Sequence, residues 1–277
     1  MKYGALIIFV VLTSLTAHPQ SFREIGIFGG ASYYKGDLNP KKHFPGAHTH
    51  FAFGAIWREN LNKRWAVKAS YMRGRISGVD ANFPENPLQI DRNLSFFSTI
   101  HEFSGTLEFN FFEFNPFAPT SFFQSADKIT PYAFIGIGVF RFNPQARLGN
   151  NVYDLHDHST EQQDYNRTAL AIPYGAGFKF RISQRILMSF EYGLRLTFTD
   201  YIDDVSTRYP PNPDLLTETG IDLSNRSLRK SGPNGTNWGT QRGDSQSNDW
   251  YHFAGFTLSV NITKNPNACH FNQDKYF

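Results

Sequence analysis

The sequence predicts an all-β fold: a closed, eight-stranded antiparallel transmembrane β-barrel with a side-chain-filled lumen. Three observations predict it. Large apolar or aromatic residues alternate with small or polar ones in runs long enough to cross a membrane. Aromatic residues make up 16% of the 277 residues, with 28 Phe and 13 Tyr, yet mean hydropathy is only −0.42. Long and short connections also alternate along the chain, as they do where short turns face one side of a membrane and long loops the other.

The chain opens with Met1-Lys2-Tyr3, an apolar run over 5–12 and small residues up to Ala17. A basic start, a short apolar core and a small exit residue form a secretory signal peptide, expected over 1–20. The barrel is expected over 21–263 and a periplasmic tail over 264–277. No later apolar run approaches the ~18 residues of a spanning helix. The expected location is therefore the outer membrane of a Gram-negative bacterium. A formal charge of +3 gives no argument for nucleic acid, and one cysteine excludes an intrachain disulfide.

The strands follow in order. The first, 22–33, places Ile25, Ile27, Gly29 and Ala31 on one face, and the second, 50–58, turns Phe51, Phe53, Ala55 and Trp57 outward. A tight turn at 60–63 leads to the third, 65–75, with Trp65, Val67, Ala69 and Tyr71 on one side. The fourth, 94–111, sets Phe103, Leu107, Phe109 and Phe111 against Glu102, Ser104, Thr106, Glu108 and Asn110. In the fifth, 131–142, Tyr132, Phe134, Phe140 and Phe142 share a parity opposed by Ile135, Ile137 and Val139, so either face could be the outer one. The sixth, 169–182, reaches the seventh through a two-residue turn at Gln184-Arg185.

The seventh strand shows the pattern most cleanly. Met188, Phe190, Tyr192, Leu194, Leu196 and Phe198 face one way, and Ser189, Glu191, Gly193, Arg195, Thr197 and Thr199 the other. The eighth, 250–262, repeats it with Ala254, Phe256, Leu258, Val260 and Ile262. A soluble sandwich would alternate too, but it has no reason to collect its long loops, about 33–49, 76–93, 143–168 and 202–249, at one end.

Eight strands enclose only enough room for side chains. The inward parity carries Arg58, Lys68, Glu102, Glu108, Lys179, Arg181, Glu191 and Arg195. Charges of both signs in a narrow, dry interior pair with one another, giving a plug instead of an aqueous channel.

Sites of chemistry are few. Asp154-Leu155-His156-Asp157-His158-Ser159 offers histidines two apart among carboxylates, but no second ligand cluster accompanies it. No base is placed against a nucleophile with an orienting acid, so no catalytic residue, cofactor or small-molecule substrate is expected. One connection at the short-turn end, 113–128, is long and carries Phe114, Phe117, Phe122 and Phe123. These aromatics extend the interfacial girdle or dock a periplasmic partner, since exposed apolar clusters mark contact surfaces. Cys269 and His270 in the tail are further docking candidates.

Just after the first strand, Tyr33-Tyr34-Lys35-Gly36-Asp37-Leu38-Asn39 resembles a segment of the PorG-like family. These proteins are outer-membrane barrel components of the type IX secretion system. The resemblance implies a non-enzymatic anchor holding a periplasmic ring of a PorK-like lipoprotein and a PorN-like protein. Read physically, Gly36 permits a tight turn, Asp37 and Asn39 bond nearby amides, and Tyr33 and Tyr34 suit an aromatic belt. The alternatives of other classes are a surface receptor or adhesin acting through the long loops, and a lipid-modifying enzyme.

Overall fold

The computed structural model describes residues 21–117, 128–227 and 237–263. Strands β1 (Phe22–Lys35), β2 (His50–Asn60), β3 (Trp65–Val79), β4 (Ser95–Asn110) and β5 (Ile129–Arg141) run antiparallel to their neighbours. A small hairpin, β6 (Pro144–Leu148) and β7 (Asn151–Asp154), then leaves the wall. The wall resumes with β8 (Thr168–Arg181), β9 (Ile186–Thr197) and β10 (Trp250–Asn261). β5 pairs with β8, β10 returns to β1 from Glu24↔Asn261 to Lys35↔Trp250, and β3 pairs with β4, so the eight wall strands close on themselves. Closure removes every edge of the wall, the condition for crossing a bilayer with strands.

The alternation that forms the strands also turns the molecule inside out. Outward residues are large and apolar, with Ile27 67%, Phe51 71%, Phe103 60% and Ile137 76% exposed. Inward residues on the same strands include Glu24, Glu102 and Glu108, each at 0%. A continuous apolar wall around a charged interior is the reverse of a soluble sandwich and fits a lipid solvent. In β5 the open choice resolves: Ile135, Ile137 and Val139 face out, and Tyr132, Phe134 and Phe140 face in.

The long loops gather at one end, where they carry α1 (Pro87–Arg92) and α2 (Glu218–Ser224). The β6–β7 hairpin lies within the expected 143–168 loop and continues the top of β4 through Phe97↔Gln145 and Ser98↔Pro144. Its two-residue turn at Gly149-Asn150 has Gly149 at φ +59°, a left-handed conformation that suits glycine in a hairpin. The expected signal peptide, 1–20, and the tail, 264–277, lie outside the described residues.

Candidate functional site

Each of the eight wall strands sends a polar group into one layer of the lumen. Arg58 of β2 sits at the centre, its Nη1 2.8 Å from Glu24 Oε2 on β1 and its Nε 2.9 Å from Glu108 Oε2 on β4. Lys179 of β8 and Lys68 of β3 also reach Glu108, at 2.7 and 3.4 Å. Lys68 Nζ extends to Glu191 of β9 at 2.6 Å, where the Tyr132 hydroxyl of β5 donates at 3.0 Å. The Ser259 hydroxyl of β10 donates to Glu24 at 2.6 Å and brings the eighth strand into the layer. Three acids thus face three bases, so the layer is neutral, and each charged group has an opposite charge within 2.9 Å.

A second tier lies toward the loops. Arg195 Nε meets Glu102 Oε2 at 3.0 Å, and the Tyr251 hydroxyl donates to the same oxygen at 2.8 Å. Around this pair Phe140, Phe142, Tyr251 and Phe253 pack as an aromatic stopper. Arg181, expected among the lumen charges, instead lies at the short-turn rim, half-buried, with Nη1 donating to the Asn115 carbonyl at 2.9 Å. Its parity is inward, but it ends its strand, below the ionic layer. Glu24 was not expected in the network, although its parity opposes Ile25 and Ile27 and signals it.

The motif after β1 is the hub of the loop end. Tyr34 points inward, and its hydroxyl lies 2.5 Å from Asp203 Oδ2 and 2.8 Å from Asp249 Oδ1. Gly36 and Asn39 exchange backbone hydrogen bonds at 3.3 and 3.0 Å, forming the tight turn. A Cβ on Gly36 would overlap the Asp249 carboxylate and the Tyr34 ring. Asp37 Oδ2 accepts from the Asp244 amide at 3.0 Å, and Leu38 is buried in the core. Asn39 Nδ2 donates to the Tyr34 carbonyl at 2.6 Å, while its Oδ1 accepts from the Lys42 amide at 3.2 Å. The expectation that Tyr33 and Tyr34 both serve an aromatic belt fails, because adjacent strand residues face opposite sides. Only Tyr33 is on the outer wall, stacked on His252 and covered by His43 and Phe44.

Around this hub all four long loops interlock. Arg92 of α1 clamps Asp80 through Nε at 2.8 Å and Nη2 at 2.6 Å, and also donates to the Asp37 and Arg242 carbonyls. Arg242 Nη1 pairs with Glu161 at 2.9 Å and bonds the Asp204 carbonyl. Glu161 accepts from the amides of Ser206 and Thr207 at 3.0 and 2.8 Å. Burial raises the carboxyls here. Asp203 and Asp249 are both pushed well up, Asp203 further by Asp249 and Asp249 by Asp200. Asp200 rises to about 8, also through burial first, and Asp204 to about 6 despite the opposing Arg242.

The short-turn end is closed as well. Phe114 is 1% exposed, packed on Phe22 and Leu187, with Phe117 against Phe22 at 6.3 Å between ring centres. Its amide donates to the Lys63 carbonyl at 3.0 Å, so the connection after β4 folds back across the barrel mouth. Phe114 is therefore not an exposed docking residue: it fills the apolar floor. Phe122, Phe123, Cys269 and His270 lie outside the described residues.

The two histidines of the 154–159 segment turn to separate partners. His156 Nε2 bonds the Tyr165 carbonyl at 3.0 Å, and His158 packs against Tyr153. Among the described residues no group of three or more His, Cys, Asp or Glu is arranged for a metal ion. A Ser–His contact that sequence reasoning missed places Ser77 Oγ 2.8 Å from His48 Nδ1 and 2.7 Å from His50 Nε2. Ser77 is buried, and among the described residues neither histidine has a carboxylate partner to orient it.

A closed wall with a lipid-compatible exterior and a filled lumen defines a small outer-membrane-type β-barrel. The chain belongs to the DUF6089 family, described as a domain of unknown function, which matches residues 3–218. No curated protein matches the sequence. Among solved structures, Ail of Yersinia pestis, in complex with the heparin analogue sucrose octasulfate, is similar at 12% identity and a TM-score of 0.41, covering 88% of this chain and 99% of that one. Neisserial surface protein A is similar at 9% identity and a TM-score of 0.44, with 87% and 97% covered. OprG of Pseudomonas aeruginosa is similar at 10% identity and a TM-score of 0.38, with 87% and 96% covered.

Proposed function

We propose that this barrel is a non-enzymatic outer-membrane component of a type IX secretion machine, anchoring a periplasmic ring of PorK-like and PorN-like proteins. The observation that carries the reading is the sealed lumen. The neutral ionic layer and the stopper above it leave no path for a solute, so the protein acts through its ends and its wall. The Tyr34-Gly36-Asp37-Leu38-Asn39 segment, which resembles the PorG-like family, is the hub of the loop cap and supports the assignment. The long connection after β4, with Phe122 and Phe123, is where a ring would dock.

An affinity pull-down of the detergent-solubilised protein tests this, wild type beside a variant in which 118–127, with Phe122 and Phe123, is replaced by a short Gly-Ser turn. Wild type recovers periplasmic ring proteins and the variant loses them. A folded wild-type barrel that recovers no periplasmic protein ends the reading. The second reading, a surface receptor or adhesin, is favoured by the interlocked loops, which present one rigid outer face. In that case recovery is absent, and cell-surface binding disappears when 205–245 is deleted.

A further inference from the structure

The outer wall carries a basic strip that the anchor reading does not use. Arg73 of β3, His101 of β4 and Arg141 of β5 are direct neighbours in register, and the row continues to Phe53 on one side and Thr168 on the other. No acid stands in that row. Arg75 lies two residues further along β3, opposite Thr99. All three arginines are exposed, and among the described residues none has an ion pair. Two are laid on aromatic rings, Arg73 on Phe53 at 5.7 Å and Arg75 on Phe97 at 4.3 Å, which fixes their direction along the wall.

The strip sits where headgroups are. Arg73 follows Trp65, the outward aromatic that begins β3 at the short-turn end, by eight positions, about 26 Å along the strand and about 20 Å along the membrane normal at a tilt near 40°. That places it at the loop-side border of the apolar wall. Directly beneath, the rows Tyr71↔Phe103↔Val139 and Ala69↔Gly105↔Ile137 descend into the belt. The small residues Ala55, Ala69 and Gly105 form the floor of a groove of about 800 Å³, walled by Trp57, Tyr71 and Ile137. A Cβ at Gly105 would meet nothing within 4 Å, so the floor is open to the bilayer.

We propose that this strip and groove bind one phosphorylated lipid of the outer leaflet, of the lipid A class. Its phosphate bridges Arg73 and Arg141, with Arg75 beside it, and one acyl chain lies in the groove. Guanidinium groups match phosphate through paired charge-assisted hydrogen bonds. Arginines on a lipid-facing wall carry a cost that falls toward the interface, and an anionic headgroup offsets what remains. Unpaired cations directly above an apolar groove complement the two ends of such a lipid and of no soluble anion.

The test is native mass spectrometry of the full barrel released from detergent, with monophosphorylated lipid A, its dephosphorylated counterpart and inorganic phosphate as probes. Wild type retains one phosphorylated lipid. Arg73→Gln with Arg141→Gln weakens retention by about tenfold or more, as expected for two lost charge-assisted contacts. Gly105→Leu, which fills the groove and leaves every arginine in place, also weakens it, and both variants keep the wild-type far-UV spectrum. Equal retention by wild type and both variants overturns the site. Equal binding of the dephosphorylated lipid, or displacement by inorganic phosphate with Gly105→Leu unaffected, overturns the assignment of a lipid phosphate seated over a chain.

Discussion

The Tyr34 hydroxyl lies 2.5 Å from Asp203, a residue 169 positions away, and thereby joins the end of β1 to the last long loop. That hydroxyl has one proton and two carboxylate neighbours, the second being Asp249 at 2.8 Å. One of the two acids must hold a proton of its own, in keeping with the upward displacement of both by burial.

The loop cap is therefore expected to loosen as pH rises. Asp200 and Asp204 titrate near 8 and 6 in the closed cap, against 3.8 when released. Across the window between those values the opened cap sheds protons that the closed cap keeps. The contribution of these two groups to cap stability is thus fully present below about pH 4 and lost progressively toward pH 8. Amide exchange of 198–227 and 237–249, corrected for intrinsic rate, should be faster at pH 8.5 than at 5.5. Asp200→Asn should flatten the upper part of that dependence. Protection that does not change with pH would contradict the assignment.

Gly36→Ala should open the cap and spare the wall. The new methyl group has no room between Asp249 and Tyr34, so the 36–39 turn must move and release both carboxylates. Protease cleavage in the long loops should rise severalfold, with an unchanged far-UV spectrum. Loss of the whole β signal would instead mean that the turn is needed to form the wall.

Glu108→Ala leaves Lys179 without its acid and takes from Arg58 and Lys68 one of the two acids each contacts, Glu24 and Glu191 remaining. Removing one member of a buried ion network costs about 3–5 kcal/mol. Urea unfolding in detergent should shift its midpoint downward by a corresponding amount. Replacing all six charged members of that layer with apolar residues of similar volume should cost less than this single change.

Planar-bilayer recordings should show no steady conductance from the wild-type protein, because both tiers and the stopper lie across the lumen. Stepwise open-channel currents from a folded sample would refute the plugged interior.

Most of the wall was legible in the sequence because a period of two reports directly which side each residue faces. The eight strands fall within a few residues of their expected ranges, and Glu102 and Arg195 pair inside as their parity implies. What stayed hidden depends on contacts remote in sequence. Nothing local in Tyr34 says that it will meet Asp203 and Asp249 rather than lipid. Nothing in the aromatic run near Phe114 says that it folds back onto Phe22. The β6–β7 hairpin was missed for a different reason: its strands of five and four residues are too short to show an alternation.

The pairing of β1 with β10 has a consequence for how the protein is made. Every other wall contact joins strands that follow one another along the chain, but this one joins its beginning to its end. Gly30 and Gly255 face each other there so closely that a side chain on either would strike the opposing backbone. Glu24 takes its bond from Ser259 across the same line. Until the final strand has been delivered, the growing sheet has two open margins and Glu24 lacks one of its three donors. Assembly in the membrane is thus a zipper with a single closing tooth, and a chain truncated before β10 would offer its margins to any neighbour instead of to itself.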